Sequence, residues 1–228
     1  MSQPMTSALL QPKQLSNRIA DHIRADILGG IRRPGEFLRL DEVAQQFGVS
    51  VTPVREALMG LNVEGFVQHA ERRGFIVSAL KRGDFEDLYT LLAEVSGRLA
   101  ERAATAMSTS NLEQLTIVHD RMIRAAEHEN FEDVERANEE FHRIINRAAD
   151  SSKLTWILLS ILKYVPRRFY ANITGLTSML IEQHGKILDA IKNQDSEAAY
   201  KAMHEHEKLA MQEVIENLNR QGIFAAEQ

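Results

Sequence analysis

The sequence predicts a mainly α protein: an N-terminal winged helix-turn-helix domain followed by an all-α antiparallel six-helix bundle. Three observations carry that prediction. Gly and Pro punctuate the first third, at Gly29-Gly30, Pro34-Gly35, Gly48, Gly65 and Gly74. After Gly83 come long stretches of Leu, Ala, Glu and Arg at helical spacing, separated by brief polar breaks. Charge divides at the same place: residues 1–80 carry +1 and residues 81–228 carry −6, within a total of −5. The boundary is expected near Ala79–Gly83. The expected organisation is a flexible N-terminus (1–12), a winged helix-turn-helix domain (13–79), a linker (80–83), a helical domain (84–221) and a tail (222–228).

In the first domain, Leu15, Ile19, Ile23 and Ile27 recur at four-residue steps and predict an amphipathic helix that stops at Gly29-Gly30. A short helix over about Asp41–Phe47 buries Val43, Ala44 and Phe47, and Gly48-Val49-Ser50 makes a tight turn. A third helix runs to Glu64 with Thr52 as N-cap and Pro53 at the first helical position, where a missing N–H leaves nothing unpaired. Phe66-Val67 and Phe75-Ile76-Val77 flank the polar tip Ala70–Arg73 and read as a hairpin. Six helices follow, over about 84–106, 111–128, 131–148, 153–170, 174–193 and 196–219. Their expected caps are Ser110 or Asn111, Asn172 or Thr174, and Asp195 or Ser196, with Pro166 kinking the fourth.

Composition removes several function classes. No cysteine is present, which excludes disulfide scaffolds, zinc ribbons, iron–sulfur clusters and thiol catalysis. No apolar run reaches the roughly 18 residues of a membrane helix. Met1 to Pro12 has neither a basic start nor an apolar core, so a cytoplasmic protein is expected.

On the third helix Val54, Ala57, Leu58 and Leu61 form the inner stripe, and Arg55, Met59 and Asn62 lie opposite. A helix that projects Ser50, Thr52 and Arg55 from its N-terminal end can set hydroxyls on phosphates and a guanidinium against a guanine edge. The hairpin tip carries Arg72, Arg73 and Gly74, and a wing of this kind reaches an adjacent backbone or minor groove. Spacing alone leaves open a structural corner with a solvated basic face.

Eight histidines occur, six of them after residue 100. Asn138 and His142 are four apart on one helix face. His184 sits among Leu180, Ile181, Ile187 and Leu188, and His206 shares the stripe of Ala199, Met203 and Ala210. His204 points about 200° away from His206 and is expected outside, as are His119 and His128. Three imidazoles from three helices can converge, and neutral imidazoles suit Zn, Ni, Cu or Fe.

The run Gly48-Val49-Ser50-Val51-Thr52-Pro53-Val54-Arg55-Glu56-Ala57-Leu58, with Leu61, Glu64-Gly65 and Arg73-Gly74-Phe75, resembles the N-terminal domain of GntR-type transcription regulators over residues 14–78. The resemblance implies DNA contacts at Ser50, Thr52, Arg55, Arg73 and Gly74. The family usually has Arg, in contact with a base, where this chain has Val51.

Asn138-Glu139-Glu140-Phe141-His142, Glu182–Leu188 and Asp195…His206 resemble the FadR-like C-terminal domain over roughly 84–220, with six helices as in the VanR-like group. That resemblance implies a site for a divalent metal (zinc, nickel or iron) at Asn138, His142, His184 and His206. It also implies a small organic-acid effector and a homodimer on a palindromic operator in double-stranded DNA.

The effector-holding Arg that such domains often carry on their first bundle helix is replaced by Leu91-Leu92. Glu94, Arg98, Arg143 and Tyr164 stand as alternative effector contacts, with Arg147 and Arg168 beside them. The expected function is a regulator, most readily a repressor, rather than an enzyme. A metal-responsive regulator and a metal-dependent hydrolase are the alternatives.

Overall fold

A computed structural model describes residues 12–71, 73–165, 176–220 and 222–224. The chain forms two compact units, Met1–Lys81 with Leu218–Gln228, and Arg82–Asn217.

The first unit is built on α1 (Pro12–Leu28), α2 (Leu40–Phe47) and α3 (Val51–Val63), with strands β1 (Phe37–Leu38), β2 (Val67–Ala70) and β3 (Gly74–Val77). The Ile19, Ile23 and Ile27 stripe of α1 is buried, as are Val54, Ala57, Leu58 and Leu61 of α3, so the two helices seal one core. Arg24 ties them at the edge: its guanidinium donates to Glu64 at 2.6 and 3.1 Å and to Asp21 at 2.6 Å. Gly48 ends α2 at φ 64, ψ 36, a left-handed conformation that favours glycine, and it turns the chain into α3.

The hairpin forms in the expected place, with Val67 opposite Val77 and His69 opposite Phe75. A third strand adds to it: β1 pairs antiparallel with β3, Leu38 opposite Phe75, giving the order β1-β3-β2. Two residues are too short to show the alternation that marks a strand in sequence, so β1 was not expected. Residues 222–224, expected as part of a tail, are built in: Ile223 is buried and Phe224 pairs with Leu80.

The helix-turn-helix differs from expectation at its turn. Helix α3 starts at Val51 with Ser50 as N-cap, so Pro53 is its third residue rather than its first. Its missing N–H still leaves nothing unpaired there, because the first four amides of a helix have no intrahelical partner.

The second unit contains α4 (Arg82–Ala106), α5 (Thr109–Glu127), α6 (Phe131–Ala148), α7 (Ser152–Ile161), α8 (Leu176–Lys192) and α9 (Ser196–Arg220), the last running on into the first unit. Helix α4 packs against α6, α7 and α8, and its small side chains Ala93, Ser96, Gly97, Ala100, Ala103 and Ala104 are all buried. Ser108 caps α5, two residues earlier than expected, by accepting from the Asn111 amide. Asp195 caps α9 through the Ala198 amide.

The fourth bundle helix was expected to continue to residue 170 with a kink at Pro166. It ends at Ile161, and a 3-10 turn, Leu162–Tyr164, leads to an extended Val165 (φ −86, ψ 120). A residue preceding proline is driven out of the helical region, so the helix stops before Pro166. Pro166, Asn172, Thr174 and Arg168 lie outside the described residues.

Candidate DNA-reading surface and candidate metal centre

The outer face of α3 carries the first site. Ser50 stands in extended conformation (φ −74, ψ 163) and its side chain makes no cap bond, which leaves its hydroxyl available. No acidic residue lies in the first turn of α3, so nothing there repels a phosphate from the amide dipoles. Thr52, Arg55 and Asn62 are exposed. Arg24, Arg32 and Arg39 are each held by a carboxylate, whereas Arg55 makes no ion pair or hydrogen bond among the described residues. A free, planar donor fork on an exposed helix face suits bidentate recognition of a guanine edge.

The wing is more structural than its sequence suggests. The Arg73 guanidinium lies over the Phe37 ring at 5.8 Å from its centroid. Gly74 has φ +94, and a Cβ added there would stand 2.6 Å from the Leu38 carbonyl oxygen. The close backbone approach expected of Gly74 is therefore satisfied inside the domain, by β1. Arg72 lies outside the described residues.

The second site lies in the helical unit. His142 on α6, His184 on α8 and His206 on α9 bring one ring nitrogen each to within 4.8 Å of one another. The ring centroids are 5.2, 5.2 and 4.5 Å apart, and His184 Nε2 is 3.3 Å from His142 Nε2. His184 and His206 are buried and His142 is partly so. Leu180 O, 2.6 Å from His184 Nδ1, can only accept, so that nitrogen holds the proton and the neutral ring turns an unprotonated Nε2 toward the other two. Phe141 packs edge-on against His184 at 4.8 Å and fixes its plane.

Burial pushes His142 down to about 4 and His184 to about 3, the latter helped by its neighbour His142. Burial holds His206 well below its ordinary range. All three are therefore neutral near pH 7, the form that binds metal. His206 Nδ1 is buried with no hydrogen-bond partner. An orphaned buried nitrogen beside two neutral imidazoles is what a divalent ion would satisfy, so the donor set fits a metal. Asn138 is partly buried one turn before His142 on the same face of α6.

Among the other histidines, His128 is exposed as expected. His204 is partly buried and stacks on Tyr200 at 5.5 Å. His119, expected at the surface, is partly buried: its Nε2 lies 3.3 Å from Ile181 O and its ring faces Phe141 at 6.1 Å. The reason is α8, which packs against α5 and covers it.

The expected effector contacts are engaged locally. Glu94 accepts from Tyr200 Oη at 2.5 Å and from Arg98 at 2.9 Å. Arg98 also meets Glu101 and lies over the Tyr200 ring, with about half its side chain exposed. Arg143 is exposed, 3.9 Å from Glu140, and Tyr164 sits partly buried in the 3-10 turn.

One buried group was not singled out from sequence. Glu207, next to His206, is 8% exposed, and burial pushes its carboxyl up to about 7 against the opposing pull of a Ser96 hydrogen bond. The signal was there: Met203, Glu207 and Ala210 share one stripe at steps of four and three.

The FCD domain family matches residues 87–209, and the family of bacterial regulatory proteins, gntR family, matches residues 15–77. The HTH-type transcriptional repressor RspR of Escherichia coli K12 is 29% identical over 216 residues, 92% of each chain. The Nta operon transcriptional regulator of Aminobacter aminovorans is 34% identical over 113 residues, covering 48% of this chain and 52% of that protein. Among solved structures, E. coli McbR/YncC superposes with a TM-score of 0.67 at 23% identity, over 91% of this chain and 98% of that one. A second, Lar, which controls expression of the Listeria monocytogenes agr system, gives 0.60 at 19% identity, over 93% and 98%. These likenesses establish the fold, and no helix among the described residues is long and apolar enough to cross a membrane.

Proposed function

This chain belongs to the GntR family of bacterial regulatory proteins, in the branch that carries an FCD domain, and from that premise we propose a cytoplasmic repressor controlled through its histidine cluster. It is a transcriptional regulator and not an enzyme, as its families and relatives are. The proposal adds a divalent metal held by His142, His184 and His206 with Asn138 as a fourth donor, a small organic-acid effector, and a homodimer on a palindromic operator.

The observation that carries this reading is the cluster itself: three neutral imidazoles from three helices, one of them with a buried nitrogen that nothing else satisfies. A bound divalent ion would supply a Lewis-acidic centre to which a carboxylate effector can attach. The chain's own part is to hold three lone pairs inward. Leu180 O sets the His184 tautomer, Phe141 sets its plane, and desolvation keeps all three rings neutral. An effector alters DNA affinity only by its unequal affinity for two arrangements of the reading helices.

Pairing is supported by α7, which exposes Trp156 (68%), Leu159 (58%) and Ile157 (39%), more apolar surface than one short helix of a monomer ordinarily leaves in water. A two-fold pair reads two half-sites and so multiplies the discrimination of one small reader.

Metal analysis of the purified protein tests the site. Wild type is expected to carry zinc, nickel or iron at about one ion per chain, and His184→Ala to lose it while keeping DNA binding. Equal metal content in the two proteins overturns the ligand set.

A further inference from the structure

We propose that α3 reads thymine methyl groups through Val51 and Met59, placed on either side of a guanine contact by Arg55; this rests on the reading of α3 as the DNA-contacting helix. Val51, Arg55 and Met59 follow one another at four-residue steps, so they form one stripe on α3. The stripe faces outward. Met59 is 57% exposed, Arg55 is exposed, and Val51 is partly exposed at the first helical position beside the exposed Thr52. The inner stripe, Val54, Ala57, Leu58 and Leu61, is at most 2% exposed and fixes the rotation of the helix.

An apolar–guanidinium–apolar stripe has a definite chemical complement. Val51 offers no donor or acceptor, and Met59 only a weak acceptor, so neither can replace a base's hydrogen bonds to water. The one apolar feature on the major-groove edges of the bases is the C5 methyl of thymine. A side chain four residues along a helix is displaced by roughly 6 Å, and successive bases on a strand are about 3.4 Å apart. The methyl contacts therefore fall within about two base pairs of the guanine, one on each side. The expected half-site is a guanine flanked at that spacing by thymines, and the specificity comes from burying methyl groups.

The test uses the full-length protein and a duplex obtained by enriching a randomised library on it. Each thymine of the enriched half-site is replaced in turn by uracil, which removes the C5 methyl and keeps the pairing edge and O4. Losing one buried methyl is expected to weaken binding about fourfold per half-site, and about fifteen-fold when both half-sites are changed. In Val51→Ala the thymine–uracil difference disappears at one position, and in Met59→Ala at the position across the guanine. Both residues lie on the outer face, so folding is retained, and circular dichroism checks this.

Equal affinity of wild type for thymine and uracil at every position overturns the proposal and leaves the DNA-reading assignment standing. So does a difference that survives in both variants. Failure to enrich any sequence overturns the assignment and the proposal together.

Discussion

Taking the protein in the presence of a chelator from pH 7.5 to 5.5 should destabilise it in an amount set by two opposed sets of buried groups, three histidines and Glu207. Each buried imidazole is neutral in the fold and has an ordinary pKa near 6.5 when unfolded, so the unfolded chain binds more protons between about 4 and 6.5. Stability then falls as pH drops through that window. One such group loses between ~1 and ~2 kcal/mol at pH 5.5, and His142, His184 and His206 together about 4 kcal/mol. Glu207 acts with the opposite sign. Its folded pKa is raised to about 7, so its cost is full above that pH and shrinks as pH falls, which returns about 2 kcal/mol over the same interval. The net loss is about 2 kcal/mol in wild type and about 4 kcal/mol in Glu207→Gln. Urea denaturation followed by circular dichroism at each pH reads both numbers. Ordinary carboxylates titrate mostly below about pH 5.5, outside the measured interval. A Glu207→Gln protein as stable at pH 5.5 as at 7.5 would refute the claim that the cluster is buried in neutral form.

Three further outcomes follow from particular contacts. Gly74→Ala should cost about 3 kcal/mol, because φ +94 is strained for alanine and the new methyl meets the Leu38 carbonyl at 2.6 Å. Gly35→Ala, at φ +85 in open space, should cost only about 1 kcal/mol, and equal shifts in Tm would refute the packing role of Gly74. Arg55→Ala should lose ~1–3 kcal/mol of specific binding per half-site by fluorescence anisotropy, with its thermal unfolding unchanged; retained specificity removes Arg55 from the reader. Leu159→Glu should shift the protein toward monomer in sedimentation, since it sets a charge on the exposed apolar face of α7. An unchanged mass would move the pairing surface elsewhere.

Most of the helical framework was legible because its signals are local. The Ile19, Ile23, Ile27 stripe, the Gly48 turn, the Asp195 cap and the hairpin around Ala70–Arg73 each announce themselves within a few residues, and each formed where it was expected. The candidate site was legible in part for the same reason. Periodicity chose His206 over His204 as the inward ring, and the buried His206 agrees. What periodicity could not give was anything that depends on a neighbour distant in sequence. Strand β1 exists because β3 offers it an edge, and Gly74 is needed because that strand's carbonyl arrives against it. His119 is covered because α8 crosses it.

The sequence by itself determined the apolar stripes, the approximate spans of the helices, and that one exposed guanidinium stands on α3, since rotation per residue and capping are properties of a short stretch of chain. Only the tertiary structure decided that nitrogens from residues 142, 184 and 206 meet within 4.8 Å, and that Glu207 is shut away from water. Helices fix direction, but packing between helices fixes distance and dielectric, and metal binding and proton affinity depend on those two quantities.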